Sequence, residues 1–244
     1  MRQADLNHIN RVQWYTTAPY DCSYLPGLQA RSQVAVVEPS QCKEQYDNLI
    51  RQGFRRSGAH IYRPQCDSCQ ACVPVRLLVN KFLPTRSQRR AQRVLDGLQV
   101  KVLPLTLKPD HLALYQRYQL ARHSDEGLLD SSQGAEGYAQ FLLRSHADSN
   151  LVEFRNAEQQ LLAVAVVDWV ADGVSAVYTF FEPDYPASLG TMAVLWLAQA
   201  AQALTLPYVY LGYWIQHSPK MAYKANFQPL EYLVNQHWQN NSLI

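Results

Sequence analysis

The second half of the chain carries three apolar stretches separated by short turn segments. The stretches cover residues 151–154, 161–170 and 174–181, and the turns cover residues 156–159 and 171–173. Runs of this length, rich in valine and phenylalanine and bounded by Asn, Asp and Gly, are typical of consecutive antiparallel strands. We therefore expect a β-meander here, and it limits the possible folds more than any other feature of the sequence.

Further elements are predicted on both sides of the meander. After it we expect a long helix over 188–204, a strand over 208–214, a short helix over 221–225 and a strand over 232–237. Before it we expect strands over 34–37, 59–62, 73–79 and 100–105, and helices over 39–53, from 85 or 87 to 95, 109–122 and 135–144. A meander followed by a helix and more strands indicates an α+β fold. The order resembles that of GNAT-type acyltransferases, whose mixed or antiparallel sheet is flanked by helices.

Charge is distributed unevenly along the chain. The formal net charge is only +2, but residues 1–100 contain 14 Lys and Arg against seven Asp and Glu, whereas residues 101–244 contain eight against 13. Such asymmetry favours an anionic partner for the first part. We therefore predict a basic, cysteine-containing N-terminal subdomain over residues 1–100 and a GNAT-like domain over residues 101–244.

A cationic helix is the clearest feature of the basic part. Arg86, Arg89, Arg90 and Arg93 recur at spacings of three and four, so several of them share one helix face. The guanidinium group of arginine can donate two parallel hydrogen bonds to phosphate oxygens, which favours a nucleic-acid contact. The alternative is an ordinary solvated helix.

All five cysteines precede residue 73, and three of them form one run. Cys66, Cys69 and Cys72 supply three ligands for a zinc ion or an iron–sulfur cluster, and Cys22 or His60 would be the fourth. The alternatives are small buried thiols on a turn, or a nucleophilic cysteine with a lowered pKa.

Aromatic residues and lysines alternate near the C-terminus. The strand YLGYWI over 210–215 is followed by Ser218, Lys220, Met221, Tyr223 and Lys224. This chemistry suits base stacking or phosphate binding, and the alternative is a core strand that ends in a solvated helix.

The sequence lacks the motifs of several enzyme classes and the signals for secretion or membrane insertion. There is no P-loop, dinucleotide fingerprint, His-Glu-x-x-His motif or Gly-x-Ser-x-Gly motif. The first ten residues are polar and no apolar run is long enough to span a bilayer. We therefore expect a cytoplasmic protein without a membrane partner.

Short motifs run in order along the chain. They are DCSYLP (21–26), GFRRSG (53–58), YRP (62–64), VPVR (73–76), SQRR (87–90), YTFFEP (178–183), SLGT (188–191), YLGY (210–213) and SPKMAYK (218–224). Together they resemble the arginyl-tRNA–protein transferase family, and specifically its bacterial leucine-transferring branch. The resemblance implies transfer of leucine from leucyl-tRNA to the N-terminal Asp or Glu of a protein, which is then degraded. It also implies a GNAT-like fold in which the 3′ end of tRNA replaces acyl-CoA.

The resemblance also bears on the cysteines. Eukaryotic relatives are associated with an iron–sulfur cluster on N-terminal cysteines. This chain has Tyr24 where the second cysteine of the first pair would stand, and its later cysteines are spaced rather than adjacent.

The implied reaction assigns roles to individual residues. Arg76, with Arg63 behind it, is expected to bind the acidic acceptor. The expected tRNA contacts are Arg86, Arg89, Arg90, Lys220 and Lys224. Aminolysis of an ester needs a positioned amine, a proton acceptor and an oxyanion site, and it requires no cofactor. The candidate proton acceptors are Glu182, Asp168, Tyr178 and Tyr213.

Three other functions are compatible with parts of the pattern. The donor could be arginyl-tRNA instead of leucyl-tRNA. The chain could also be a non-catalytic, metal-bearing RNA-binding module, or an N-acyltransferase that uses acyl-CoA. The missing pyrophosphate loop and the surplus of cations argue against acyl-CoA.

Overall fold

The computed structural model describes residues 12–123 and 134–240. Its strands are β1 Gln13–Thr16, β2 Tyr20–Asp21, β3 Gln29–Ala30, β4 Ser32–Val36, β5 Arg55–Ser57, β6 His60–Pro64, β7 Val73–Leu78, β8 Gln99–Leu103, β9 Ser149–Arg155, β10 Leu161–Val170, β11 Gly173–Phe181, β12 Tyr208–Trp214, β13 Leu230–Val234 and β14 His237–Gln239. Its α-helices are α1 Cys42–Arg51, α2 Arg86–Asp96, α3 Pro109–His123, α4 Ala135–Tyr138, α5 Leu189–Ala203 and α6 Pro219–Ala222.

A mixed eight-stranded sheet forms the centre of the molecule. Its strand order is β14-β13-β7-β12-β11-β10-β9-β8, and within it β11 and β12 are parallel while the other neighbours are antiparallel. The predicted meander is confirmed as β9, β10 and β11, and the α+β class is confirmed with it. No helix in the described part of the chain has the length and apolar character needed to cross a membrane.

Helices cover both faces of this sheet. Along β10 the side chains alternate, as they must in a strand. Ala163 and Ala165 belong to a core shared with α2 and α5, whereas Val164 and Val166 pack with residues of α3. This two-sided burial explains why β10 is almost continuously apolar.

A smaller four-stranded sheet, with the order β1-β4-β6-β5, packs beside the large one. Buried Arg56 of β5 joins the two sheets, because its Nε and Nη2 donate to the Asp168 carboxylate of β10 at 2.7–2.9 Å. Ser149 donates to the same carboxylate at 2.6 Å. The position of β5 against the meander is therefore fixed by a buried ion pair.

The sequence-based division at residue 100 stays a prediction. Strand β7, from the first hundred residues, lies between β13 and β12 in the large sheet. The first part of the chain thus contributes a central strand to the sheet that contains the meander.

Two local predictions differ from the structure. The helix expected over 135–144 is a four-residue α-helix that continues as a π-helical segment, Ala139–Leu143. The short strands β1, β2, β3, β5 and β14 were not predicted, because segments of two to four residues carry too little periodicity to be recognised.

Candidate functional site

The large sheet opens into a notch between its two parallel strands. Strands β11 and β12 pair only from Gly173–Tyr208 to Ser175–Tyr210. Beyond this point β11 stays with β10, while β12 stays with β7 and shifts its register between Tyr210 and Gly212. The β12-facing edge of β11 therefore has no recorded strand partner after Ser175 within the described residues.

The guanidinium of Arg55 enters this notch from β5. Its Nη2 donates to the carbonyl oxygens of Ala176 and, at 3.0 Å, of Val177 on β11. On the β12 side Gly212 has φ +80°, and a Cβ there would overlap the guanidinium. A glycine in the left-handed region and a shift in strand register thus make room for Arg55.

Lys224 brings a second cation close to the first. It lies in the 3₁₀ turn Tyr223–Asn226, is 5% exposed, and donates from Nζ to the Tyr213 carbonyl oxygen at 2.5 Å. Burial lowers the pKa of this amine well below its usual value of 10.5, and the positive charge of Arg55 lowers it further. Tyr213 follows Gly212, so the bond to its carbonyl oxygen places the Lys224 amine beside the notch that holds Arg55.

Neither cation has a carboxylate partner in the described part of the chain. Ion pairs recorded over residues 12–123 and 134–240 include neither Arg55 nor Lys224. Buried charges in proteins are usually paired, so the lack of a carboxylate partner for buried Lys224 and part-buried Arg55 makes the notch a candidate anion site.

A cavity of about 640 Å³ lies next to the notch and contains the four predicted ligand cysteines. Its lining includes Cys22, Cys66, Cys69 and Cys72, together with Tyr24, Arg63 and Tyr213. Burial and, to a lesser degree, the three other cysteines raise the pKa of the Cys72 thiol to about 12. A thiol with this pKa is protonated near neutral pH, which argues against a cysteine nucleophile at this position.

The cysteines do not form an assembled ligand set. Over residues 12–123 and 134–240, no three His, Cys, Asp or Glu side chains are grouped closely enough to hold a metal ion. His60, the alternative fourth ligand, is exposed in β6 and does not line the cavity. A zinc ion or iron–sulfur cluster stays a prediction, and no chemistry below depends on one.

The four candidate proton acceptors have different environments. Asp168 is fully buried and paired with Arg56. The Tyr213 hydroxyl lies 2.8 Å from the Gly53 carbonyl oxygen, and burial raises its pKa well above 10. The Asp168 carboxylate is thus occupied by Arg56 and Ser149, and the raised pKa keeps the Tyr213 hydroxyl protonated near neutral pH. The catalytic roles of both residues stay predictions.

The other two candidates lie on or just beyond β11. The carboxylate of Glu182 accepts from Arg117 at 2.8 Å and keeps 27% of its side chain exposed. The ring of Tyr178 packs edge-on against the rings of Tyr115, Tyr118 and Phe141. Their catalytic roles stay predictions.

Arg76 is engaged within the protein. Its Nη2 lies 2.6 Å from Glu231 Oε2, and its guanidinium lies over the rings of Tyr208 and Trp238 at 3.5 and 4.3 Å. Arg63 lies 4.7 Å over the ring of Phe54 and lines the cavity. An acceptor role for Arg76 stays a prediction that the Glu231 pair does not favour.

The predicted tRNA contacts divide into exposed and buried groups. Arg86, Arg89 and Arg90 are exposed on α2, and Lys220 is exposed on α6. Lys224 instead faces inwards, so it is not part of the outer cationic surface. A tRNA contact by Lys224 stays a prediction that its burial does not favour.

Two family models match most of the chain. One, described as the N terminus of arginine-tRNA-protein transferase, covers residues 20–90, and the other, described as its C terminus, covers residues 110–234. The chain therefore belongs to the arginine-tRNA-protein transferase family.

Relatives that match nearly the whole chain are named aspartate/glutamate leucyltransferases. An aspartate/glutamate leucyltransferase of Thiobacillus denitrificans is 53% identical over 232 residues, which is 95% of each chain. One from Chromobacterium violaceum is 48% identical over 240 residues, or 98% of each chain. Among solved structures, L-PGS from Bacillus licheniformis has a TM-score of 0.44 and 13% identity to this chain, and the match covers 60% of this chain and 48% of that one.

Proposed function

We propose that the protein transfers leucine from leucyl-tRNA to the N-terminal Asp or Glu of other proteins and thereby marks them for degradation. The observation that carries this proposal is the 53% identity, over 95% of each chain, to a relative named for leucine transfer to aspartate and glutamate. The cationic notch supports it, because an enzyme that selects acidic acceptors needs unpaired positive charge.

The notch between β11 and β12 is the proposed reaction site. Parallel strands that separate in this way fit a GNAT-like fold, with the aminoacylated 3′ end of tRNA lying where strand pairing stops. The unpaired edge of β11 beyond Ser175 offers backbone N–H groups for the oxyanion. Exposed cations of α2 and Lys220 would hold tRNA phosphates.

The proposed reaction is the aminolysis of an ester. The α-amine of the acceptor attacks the leucyl carbonyl carbon, a C–N bond forms, and the C–O bond to the tRNA ribose breaks. The amine loses a proton and the departing ribose oxygen gains one. Because the ester is already activated, the main task of the protein is to hold amine and ester together. We place this reaction in the cytoplasm, where charged tRNA is available.

A transfer assay tests the proposal. Purified protein is incubated with labelled leucyl-tRNA or arginyl-tRNA and peptides that begin with Asp, Glu, Asn or Ala. We expect labelled product only from leucyl-tRNA with the Asp and Glu peptides. Labelling from arginyl-tRNA instead would assign the arginine donor. Tight tRNA binding with no transfer from either donor would assign the non-catalytic RNA-binding alternative.

A further inference from the structure

We propose that Arg55 and Lys224 together bind the side-chain carboxylate of the acceptor's N-terminal Asp or Glu. This inference rests on the proposed function, and it names the residues that select the acidic acceptor. It places the selection in the notch itself rather than at Arg76.

The first support is charge. Arg55 is part-buried and donates to two carbonyl oxygens. Lys224 is almost fully removed from water, and its hydrogen-bond partners among the described residues are the Tyr213 carbonyl oxygen and the Met221 sulfur. Placing a second cation nearby adds repulsion to the cost of burial. A carboxylate between the two would relieve both, as it does when it accepts from two donors in other charge-assisted pairs.

The second support is the way the backbone holds Arg55. Two consecutive carbonyls of β11 accept from its guanidinium, and Gly212 leaves the space it occupies. One carbonyl, that of Val177, lies at the register shift opposite Val166 and Val167. Irregularities on both strands therefore meet at one side chain, which indicates a position built for function.

The third support is the reach of the acceptor. In an N-terminal aspartate, two carbon atoms separate the carboxyl carbon from the attacking nitrogen, and glutamate adds one more. A carboxylate held by cations inside the notch therefore keeps the amine at the edge of β11, where we place the ester. Arg76 is already matched by Glu231.

A tRNA phosphate is the less favoured anion. A phosphodiester is bulky, because it carries a ribose on each side. Lys224 lies beneath the surface with only 5% of its area exposed, so a smaller anion suits it better. The exposed arginines of α2 suit a phosphate backbone better. The end of a peptide chain is narrow enough to enter a notch.

The test compares Lys224→Met with the wild-type protein. Methionine approximates the length of the side chain and removes its charge. We expect kcat/KM for an Asp peptide to fall at least about 30-fold, as for loss of one partner of a buried charge pair. We expect the ratio of Asp-peptide to Asn-peptide kcat/KM to fall towards one and leucyl-tRNA binding to stay unchanged. Lys101→Met, at an exposed lysine on the distant edge strand β8, is the matched control and should change none of these values.

Binding of the Asp and Asn peptides, measured by calorimetry without tRNA, separates this inference from the proposed function. Lys224-dependent preference for the Asp peptide supports the carboxylate site even if no leucine is transferred. An unchanged Asp preference in the variant overturns the site, and weakened tRNA binding alongside it would assign the cations to phosphate. If Lys224→Met does not fold by circular dichroism, Arg55→Gln carries the same test, because it removes the other positive charge from the notch and leaves Lys224 in place.

Discussion

Arg55 and Arg56 are adjacent in β5 but meet opposite electrostatic environments. Successive side chains of a strand point to opposite sides. Arg56 therefore forms an ion pair with Asp168, whereas Arg55 reaches the notch, where it has no carboxylate partner among the described residues. One residue of this pair holds the structure together, and the other is available for chemistry.

The buried Arg56–Asp168 pair leads to a stability prediction. Asp168→Asn leaves the Arg56 charge uncompensated, so we expect the free energy of unfolding to fall by about 3–5 kcal/mol. Urea denaturation measures this change. The control is Asp148→Asn, because Asp148 forms an exposed pair with Lys43 and should change stability by less than about 1 kcal/mol. Loss of transfer at unchanged stability would instead restore Asp168 as the catalytic base.

At the scale of elements, the register shift of β12 lies at a glycine in the left-handed region, Gly212. Gly212→Ala should lower the free energy of unfolding by about 1–3 kcal/mol, because φ is positive there and Arg55 must move. It should also lower kcat/KM for the Asp peptide. Gly97→Ala is the control: its φ is −92° and the added Cβ would meet only Val94 O at 3.6 Å. Equal effects of the two changes would show that Arg55 does not depend on Gly212.

The helix α2 leads to a prediction about tRNA. Arg89→Ala combined with Arg90→Ala should weaken binding of leucyl-tRNA and reduce the slope of log K against log salt concentration by about one for each phosphate that is no longer neutralised. Filter binding over a range of salt concentrations measures the slope. Arg144→Ala, at an exposed arginine outside α2, should leave it unchanged. An unaltered slope in the double variant would remove α2 from the tRNA path.

Local sequence signals predict several elements well. A cap at Thr85 or Ser87 and a stop at Gly97 predict helix α2, and the structure has a capping box between Thr85 and Gln88. Apolar runs and turn residues predict the meander and the long helix α5. These signals depend on neighbouring residues only, so they can be read without knowledge of the fold.

At the scale of the whole molecule, the site is assembled from distant parts of the chain. Arg55, the carbonyls of Ala176 and Val177, Gly212 and Lys224 meet in one notch. Nothing local in the sequence distinguishes Arg55 from Arg56, or the buried Lys224 from the exposed Lys220. The motifs GFRRSG and SPKMAYK could therefore be recognised, but the roles of their individual cations required the tertiary structure.

The close approach of Arg55 to Gly212 has a consequence for the history of this protein. One partner lies in the stretch matched by the N-terminal family model and the other in the stretch matched by the C-terminal one. A hybrid gene that joined the front of one relative to the back of another would have to supply both the arginine and the glycine for this contact to form. We therefore expect substitutions at these two positions, one in each half of the enzyme, to be coupled.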